Sequence, residues 1–238
     1  MPRKRQPNGT EVSSHLNAAS RPAATTYTND LVQLSLRACL IARDAAFNVR
    51  DMLMNSSRMA FLAIKDCEKE LDQIERKIDE LLPQAITRVN EARARQLLSA
   101  LKSATDLERI GDLVMSVALR VQARTTRIPD SDVRQLVEMA SVLREMLDLI
   151  HQGFSKLDIE CARKVLQMDR EIDKICHALF QKHLAATAAP GDTSGFEVIL
   201  MAQALERAGD HSTNLAEDLY SLIEGRSLRH MPKRKASS

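Results

Sequence analysis

The sequence predicts an all-α protein, and three observations carry that expectation. Leu, Ala, Met, Glu, Arg and Lys dominate its 238 residues, aromatics are 3%, and tryptophan is absent. No hairpin signal separates alternating apolar runs: Asn8-Gly9 lies in a polar N-terminal stretch and Gly191-Asp192 between helical patterns. The third observation is a repeat. Glu108-Arg109-Ile110-Gly111-Asp112 returns 98 residues later as Glu206-Arg207-Ala208-Gly209-Asp210. Ala104 matches Ala202 and Leu107 matches Leu205 around it. The fold class that follows is two tandem, pseudo-symmetric antiparallel three-helix bundles.

The elements follow from apolar spacing and from start and stop signals. Residues 1–26 are rich in Pro, Ser, Thr, Asn and Ala, which predicts a disordered segment. The first unit spans 27–128. A helical stripe starts at Asn29 and runs through Leu31, Leu34, Ala38, Ile41, Ala45 and Met52 to Asn55. The second stripe runs from Ala60 through Ile64, Cys67, Leu71, Ile74 and Ile78 to Leu81, and Pro83 is expected to end or kink it. Asn90 is the expected N-cap of the third helix, which continues to Val121 and stops at Ile128-Pro129-Asp130.

The second unit spans 129–225. Helix four is expected from Asp132 to His151, with Gly153 ending it. Ser155-x-x-Asp158 reads as a capping box for helix five, which ends before Pro190-Gly191. Ser194-x-x-Glu197 starts helix six, and Gly225 is a natural residue just past its end. Residues 226–238 form a basic tail.

The repeat extends beyond the glycine motif. Glu68-Lys69-Glu70-Leu71-Asp72 matches Asp169-Arg170-Glu171-Ile172-Asp173 at an offset of 101. Glu and Asp four apart project from one helix face. One reading is a solvated acidic face, with Arg109 and Arg207 as partners. The other is a metal site, because hard and borderline cations take carboxylate oxygens. Each motif also carries a helix-interior glycine, which costs about 1 kcal/mol relative to alanine. Two such glycines at matched positions predict close backbone approach.

Charge and cysteine usage narrow the function classes. The formal charge of +2 divides into +3 over residues 1–26, −6 over 27–225 and +5 over 226–238. An acidic body argues against a specific nucleic-acid-binding surface. Cys39, Cys67, Cys161 and Cys176 show no C-x-x-C spacing, so reduced structural thiols are expected. No apolar run reaches the roughly 18 residues of a membrane span, and the basic N-terminus lacks the apolar region of a secretory signal.

The sequence resembles the PhoU family of phosphate-transport regulatory proteins. The residues that carry the resemblance are Asp106 to Asp112, Leu205 to His211 with Asn214 and Glu217, and the segments Glu70-Leu71-Asp72 and Glu171-Ile172-Asp173. It covers roughly Leu31 to Gly225. The resemblance implies metal clusters through the Glu/Asp-x-x-x-Asp motifs, with a divalent or trivalent ion such as Zn, Fe, Mn or Mg. The expected second-half ligands are Glu206, Asp210 and Asn214 from helix six with Asp169 and Asp173 from helix five. Glu108, Asp112 and Asp72 form the poorer first-half set, because Leu113, Ser116 and Leu119 stand where helix six has His211, Asn214 and Glu217.

The resemblance further implies a cytoplasmic adaptor between a phosphate ABC transporter ATPase and a sensor histidine kinase. Such an adaptor represses phosphate uptake and the phosphate-starvation response. It is peripheral to the membrane at most, and a homodimer is expected.

Enzyme readings find less support in the residues. A ferritin-like di-metal oxidase needs Glu-x-x-His on two helices, and only Asp148-x-x-His151 approaches that. Cys176-His177 are adjacent on a helix and so point about 100° apart. A helical scaffold unrelated to phosphate is the remaining alternative. The Met139 and Met146 stripe suits it, but such a stripe also fits a core.

Overall fold

The computed structural model describes residues 24–87, 89–124, 127–185 and 194–225. Six helices account for nearly all of them: α1 (Ala24–Asn55), α2 (Arg58–Ile86), α3 (Glu91–Ala123), α4 (Asp130–Lys156), α5 (Ile159–Ala185) and α6 (Ser194–Glu224). There is no strand among the described residues. Residues 1–23 of the predicted 1–26 segment and the basic tail 226–238 lie outside them.

Each half is a triad. α1, α2 and α3 pack pairwise, as do α4, α5 and α6. α2 touches only α1 and α3, and α5 touches only α4 and α6. The halves meet along two seams, α1 on α4 and α3 on α6. Apolar side chains from all six helices form one continuous core through both seams. Met139 and Met146 are fully buried in it, so the methionine stripe is core.

Both seams are antiparallel and two-fold with respect to the repeat. Along α3 and α6, Lys102 meets Asp218, Asp106 meets His211 and Arg120 meets Glu197. Along α1 and α4, Arg43 reaches Asp148 at 3.2 Å. Its counterpart at offset 101, Arg144, lies over the Phe47 ring at 5.7 Å, and Phe47 is the counterpart of Asp148. The matched positions therefore swap roles across the seam.

The turns repeat as well. Ser56 at φ 49° and Leu157 at φ 53° are left-handed non-glycine residues at the same offset of 101. Next to each stands an N-cap. Ser57 Oγ accepts from the Ala60 amide at 3.2 Å, and Asp158 Oδ1 accepts from the Glu160 amide at 2.9 Å. The Asn90 cap forms as expected, accepting from the Arg93 amide at 3.0 Å.

Four boundary expectations need correction. α1 begins at Ala24, inside the stretch predicted to be disordered. Pro83 does not end α2. It sits exposed in the last turn, where the carbonyl it strips of a partner belongs to exposed Asp79 and faces water. α4 is longer than predicted at both ends, and Gly153 is buried inside it. A Cβ on Gly153 would lie 2.3 Å from Leu219 Cδ2 of α6, so this glycine serves close helix approach. Ser155 still belongs to α4, and Asp158 alone caps α5.

Candidate functional site

The duplicated acidic motifs face each other within each triad. In the second half, Asp169 and Asp173 of α5 stand against Glu206 and Asp210 of α6. Gly209 holds the two helices close: a Cβ there would lie 3.5 Å from Asp169 Oδ1 and 3.1 Å from Ile172 Cδ1. In the first half, Gly111 holds α3 against Leu71 and the Glu68 backbone of α2 in the same way. The expected backbone approach is therefore real at both glycines.

Electrostatics marks the second cluster. Burial, then the charges of Asp173 and Asp210, push the Asp169 carboxyl up to about 6. Burial and the neighbouring carboxylates also raise Glu206, against the smaller opposing effect of Arg207. Asp210 rises through burial and Asp173. Four carboxyls in mutual repulsion form an oxygen-only donor set of the kind hard cations take. The side chains do not converge, however: among the described residues, no three His, Cys, Asp or Glu groups are placed to hold one ion together.

The first cluster differs in its counter-charges. Burial and then Asp112 raise Glu108. Arg109 reaches Glu108 at 3.4 Å and Asp112 at 3.3 Å, and Arg76 reaches Asp72 at 2.8 Å. Arg109 and Arg76 thus give the first cluster counter-charges from its own helices.

Asn214 is placed away from the second cluster, which corrects its expected role. Residues four apart drift about 40° around a helix, so Asn214 lies about 80° from Glu206. Its amide donates to Asp106 Oδ1 at 3.3 Å, and His211 Nδ1 contacts the same oxygen at 2.7 Å. His211 and Asn214 serve the α3–α6 seam.

Sequence reasoning missed a second polar cluster. Asp132 in the first turn of α4 is fully buried against Lys182, with His183 Nε2 at 3.1 Å, and Lys182 also donates to Ser131 Oγ at 2.9 Å. Lys182 and His183 end α5, and the His183 ring packs against Gly195 of α6. No local motif flags Asp132, because its partners lie about 50 residues away. Asp148, the one near-match to a di-metal motif, is taken up by Arg43 and Arg144. The Cys176 thiol is pushed up to about 11 by burial and by Glu206 and Asp173. It therefore stays protonated near neutral pH and is a poor nucleophile.

No described helix is long and apolar enough to cross a membrane.

The family model for the PhoU domain matches residues 36–121 and again 136–219. A Rhizobium meliloti (strain 1021) protein named phosphate-specific transport system accessory protein PhoU homolog is 31% identical, over 76% of this chain and 78% of its own. A protein of the same name from Xylella fastidiosa (strain 9a5c) is 30% identical, over 72% of this chain and 83% of its own. The crystal structure of PhoU from Pseudomonas aeruginosa shares the fold at a TM-score of 0.73 and 23% identity, covering 85% of this chain and 99% of that one. The phosphate transport system regulatory protein PhoU from Streptococcus pneumoniae does so at 0.76 and 21%, covering 86% and 99%. With residues 36–121 and 136–219 each matched by the PhoU domain model, the chain belongs to the PhoU family.

Proposed function

We propose that this protein is a non-catalytic accessory regulator of a phosphate-specific transport system. The observation that carries the reading is the double PhoU-domain match, supported by relatives at 30–31% identity named as accessory proteins of that system. In finer detail, it acts in the cytoplasm as a negative regulator. It links the transporter ATPase to a sensor histidine kinase and represses the starvation response when phosphate is plentiful. The long exposed faces of α2 and α5, each covered on one side only, suit two-partner docking. An untagged and an affinity-tagged strain, grown with and without phosphate, test this. Mass spectrometry of the captured material is expected to recover the transporter ATPase and a histidine kinase. A deletion strain is expected to express the starvation response in rich phosphate. Normal repression in that strain would overturn the reading and favour a scaffold unrelated to phosphate.

The second acidic cluster is proposed as a cation site. Asp169, Asp173, Glu206 and Asp210 would hold the ion after side-chain rotation, and the ion would supply positive charge beyond the small opposing effect of Arg207. Glu108, Asp112 and Asp72 of the first cluster are the weaker set, because Arg109 and Arg76 already neutralise them.

A further inference from the structure

A cleft of about 190 Å³ opens where both seams meet, between α1, α3 and the C-terminal ends of α4 and α6. Leu36, Ala100, Phe154 and Leu222 give it an apolar wall. Among the described residues, no charged side chain lines it. Cys39 on the same wall is fully buried, and burial pushes its thiol up to about 12, so the wall stays neutral.

Two features set this cleft apart from a packing defect. The first is a pair of serines one turn apart on α3. Ser99 and Ser103 are 9% and 2% exposed, and neither hydroxyl has a hydrogen-bond partner. Helical serines elsewhere in the chain satisfy themselves: Ser141, Ser212 and Ser221 each donate to the carbonyl four residues back. A buried hydroxyl without a partner is costly and calls for a ligand.

The second feature comes from the repeat. The counterparts of Ser35, Ala100 and Ser103 in the other half are Leu136, Val198 and Met201. All three are fully buried core residues. The cleft reaches inward to Ser35, Ala100 and Ser103 because these small side chains stand where the matched positions are filled; the pocket at the matched place, lined by Leu53, Ser56, Arg124 and Val133, does not reach Leu136, Val198 or Met201. The replacements also run the other way at its mouth. Leu157 and Leu222 replace the polar counterparts Ser56 and Arg124. Leu157, Leu222 and Gln96 are shared with a wider surface groove, which gives a path for entry.

We propose that this cleft is a binding site for a compact, neutral, mostly apolar molecule bearing one hydroxyl or carbonyl group. The apolar body packs against Leu36, Phe154 and Leu222. The polar group reaches Ser99 and Ser103, whose oxygens are closed off from water until χ1 turns them into the cleft. Charge is excluded because the wall offers it no partner. Size is bounded by volume: a cavity of about 150 Å³ accepts benzene, so a substituted six-membered ring fits.

Phenol, toluene and benzoate are suitable probes, followed by saturation-transfer NMR and thermal melting of the full chain. Phenol is expected to bind saturably and raise the melting temperature, toluene to bind more weakly, and benzoate not at all. Ser103→Met and Ala100→Val restore the residues of the other half. Each is expected to abolish phenol binding while the melting temperature holds or rises. Ser99→Ala with Ser103→Ala is expected to weaken phenol about fivefold and leave toluene unchanged or tighter. The inference is overturned if phenol fails to saturate, or if benzoate matches it. Undiminished phenol binding in Ser103→Met would overturn it equally.

Discussion

Gly111 of α3 lies directly against Leu71 of α2: a Cβ added to the glycine would come 2.6 Å from Leu71 Cδ1. Alanine at this position gains about 1 kcal/mol of helix propensity. Against that stands overpacking, typically about 1–3 kcal/mol, because Leu71 is 2% exposed and has little room to move. The overlap wins, so Gly111→Ala is expected to lose about 1 kcal/mol in urea denaturation. Gly209→Ala is expected to lose less, since its Cβ would stand 3.1 Å from Ile172 Cδ1. Leu71→Ala should suppress the cost of Gly111→Ala in a double-mutant cycle. A rise in melting temperature for Gly111→Ala would refute the packing role.

The four-carboxyl cluster gives the metal-free protein a defined pH response. Asp169 sits near 6 in the fold and near 3.9 when unfolded. Below about 4 both states hold the proton, and the group has no effect. Between about 4 and 6 the folded state keeps the proton that the unfolded state releases, so stability falls as pH rises. Glu206 and Asp210 are raised as well and act in the same direction. Asp169→Asn is therefore expected to be more stable than the parent at pH 7.5 and equal to it near pH 4. Urea midpoints of chelator-treated protein across that range decide it. A constant difference at all pH values would contradict the assignment.

Metal content tests the asymmetry between the clusters. Glu206→Ala with Asp210→Ala is expected to lose bound metal after loading with Zn²⁺, Mn²⁺, Mg²⁺ or Fe²⁺. Glu108→Ala with Asp112→Ala should lose much less. Binding should strengthen with pH through about 6, as Asp169 ionises. Equal loss from both double mutants would show that Arg109 and Arg76 do not set the difference.

The buried Asp132 predicts an order of costs. Removing Lys182 and His183 together leaves the Asp132 carboxylate inside the fold without the two side chains that contact it. Lys182→Ala with His183→Ala is expected to cost about 3 kcal/mol. Adding Asp132→Asn should return part of that, because the uncompensated charge is gone. Denaturation midpoints of the double and triple variants give the comparison, and a triple variant less stable than the double would disprove it.

Most of the fold was legible because its signals are local and doubled. Apolar spacing located all six helices, and the Asn90 cap formed as read. The glycine repeat located both close approaches. Boundaries failed where tertiary contact overrides a local rule. Gly153 reads as a stop signal, but Leu219 of α6 packs over it and the helix continues. Pro83 reads as a break, but an exposed last turn tolerates it.

The candidate site was legible in part. The carboxyls of α5 and α6 come to face each other because the motifs match in register. Asn214 was misplaced because sequence spacing does not show where a neighbouring helix will claim a side chain. Asp106 claims it here. The Asp132 cluster was invisible because it joins the start of one helix to the end of the next.

The α1–α4 and α3–α6 seams are each related to themselves by the pseudo-two-fold of the repeat. An interface that is two-fold with itself is the geometry by which two identical subunits associate. Between identical subunits, every substitution at such an interface appears twice, once on each side of the axis. Within this single chain, each side changes alone. Asp106 and His211 form a polar contact at 2.7 Å, while the mirrored pair, Ala204 and Leu113, is apolar. Ser103 lines a cleft, while Met201 is buried in the core on the other side. Joining two equal halves in one polypeptide therefore allows one stable packing scheme to carry two unlike surfaces, one on each side of the axis.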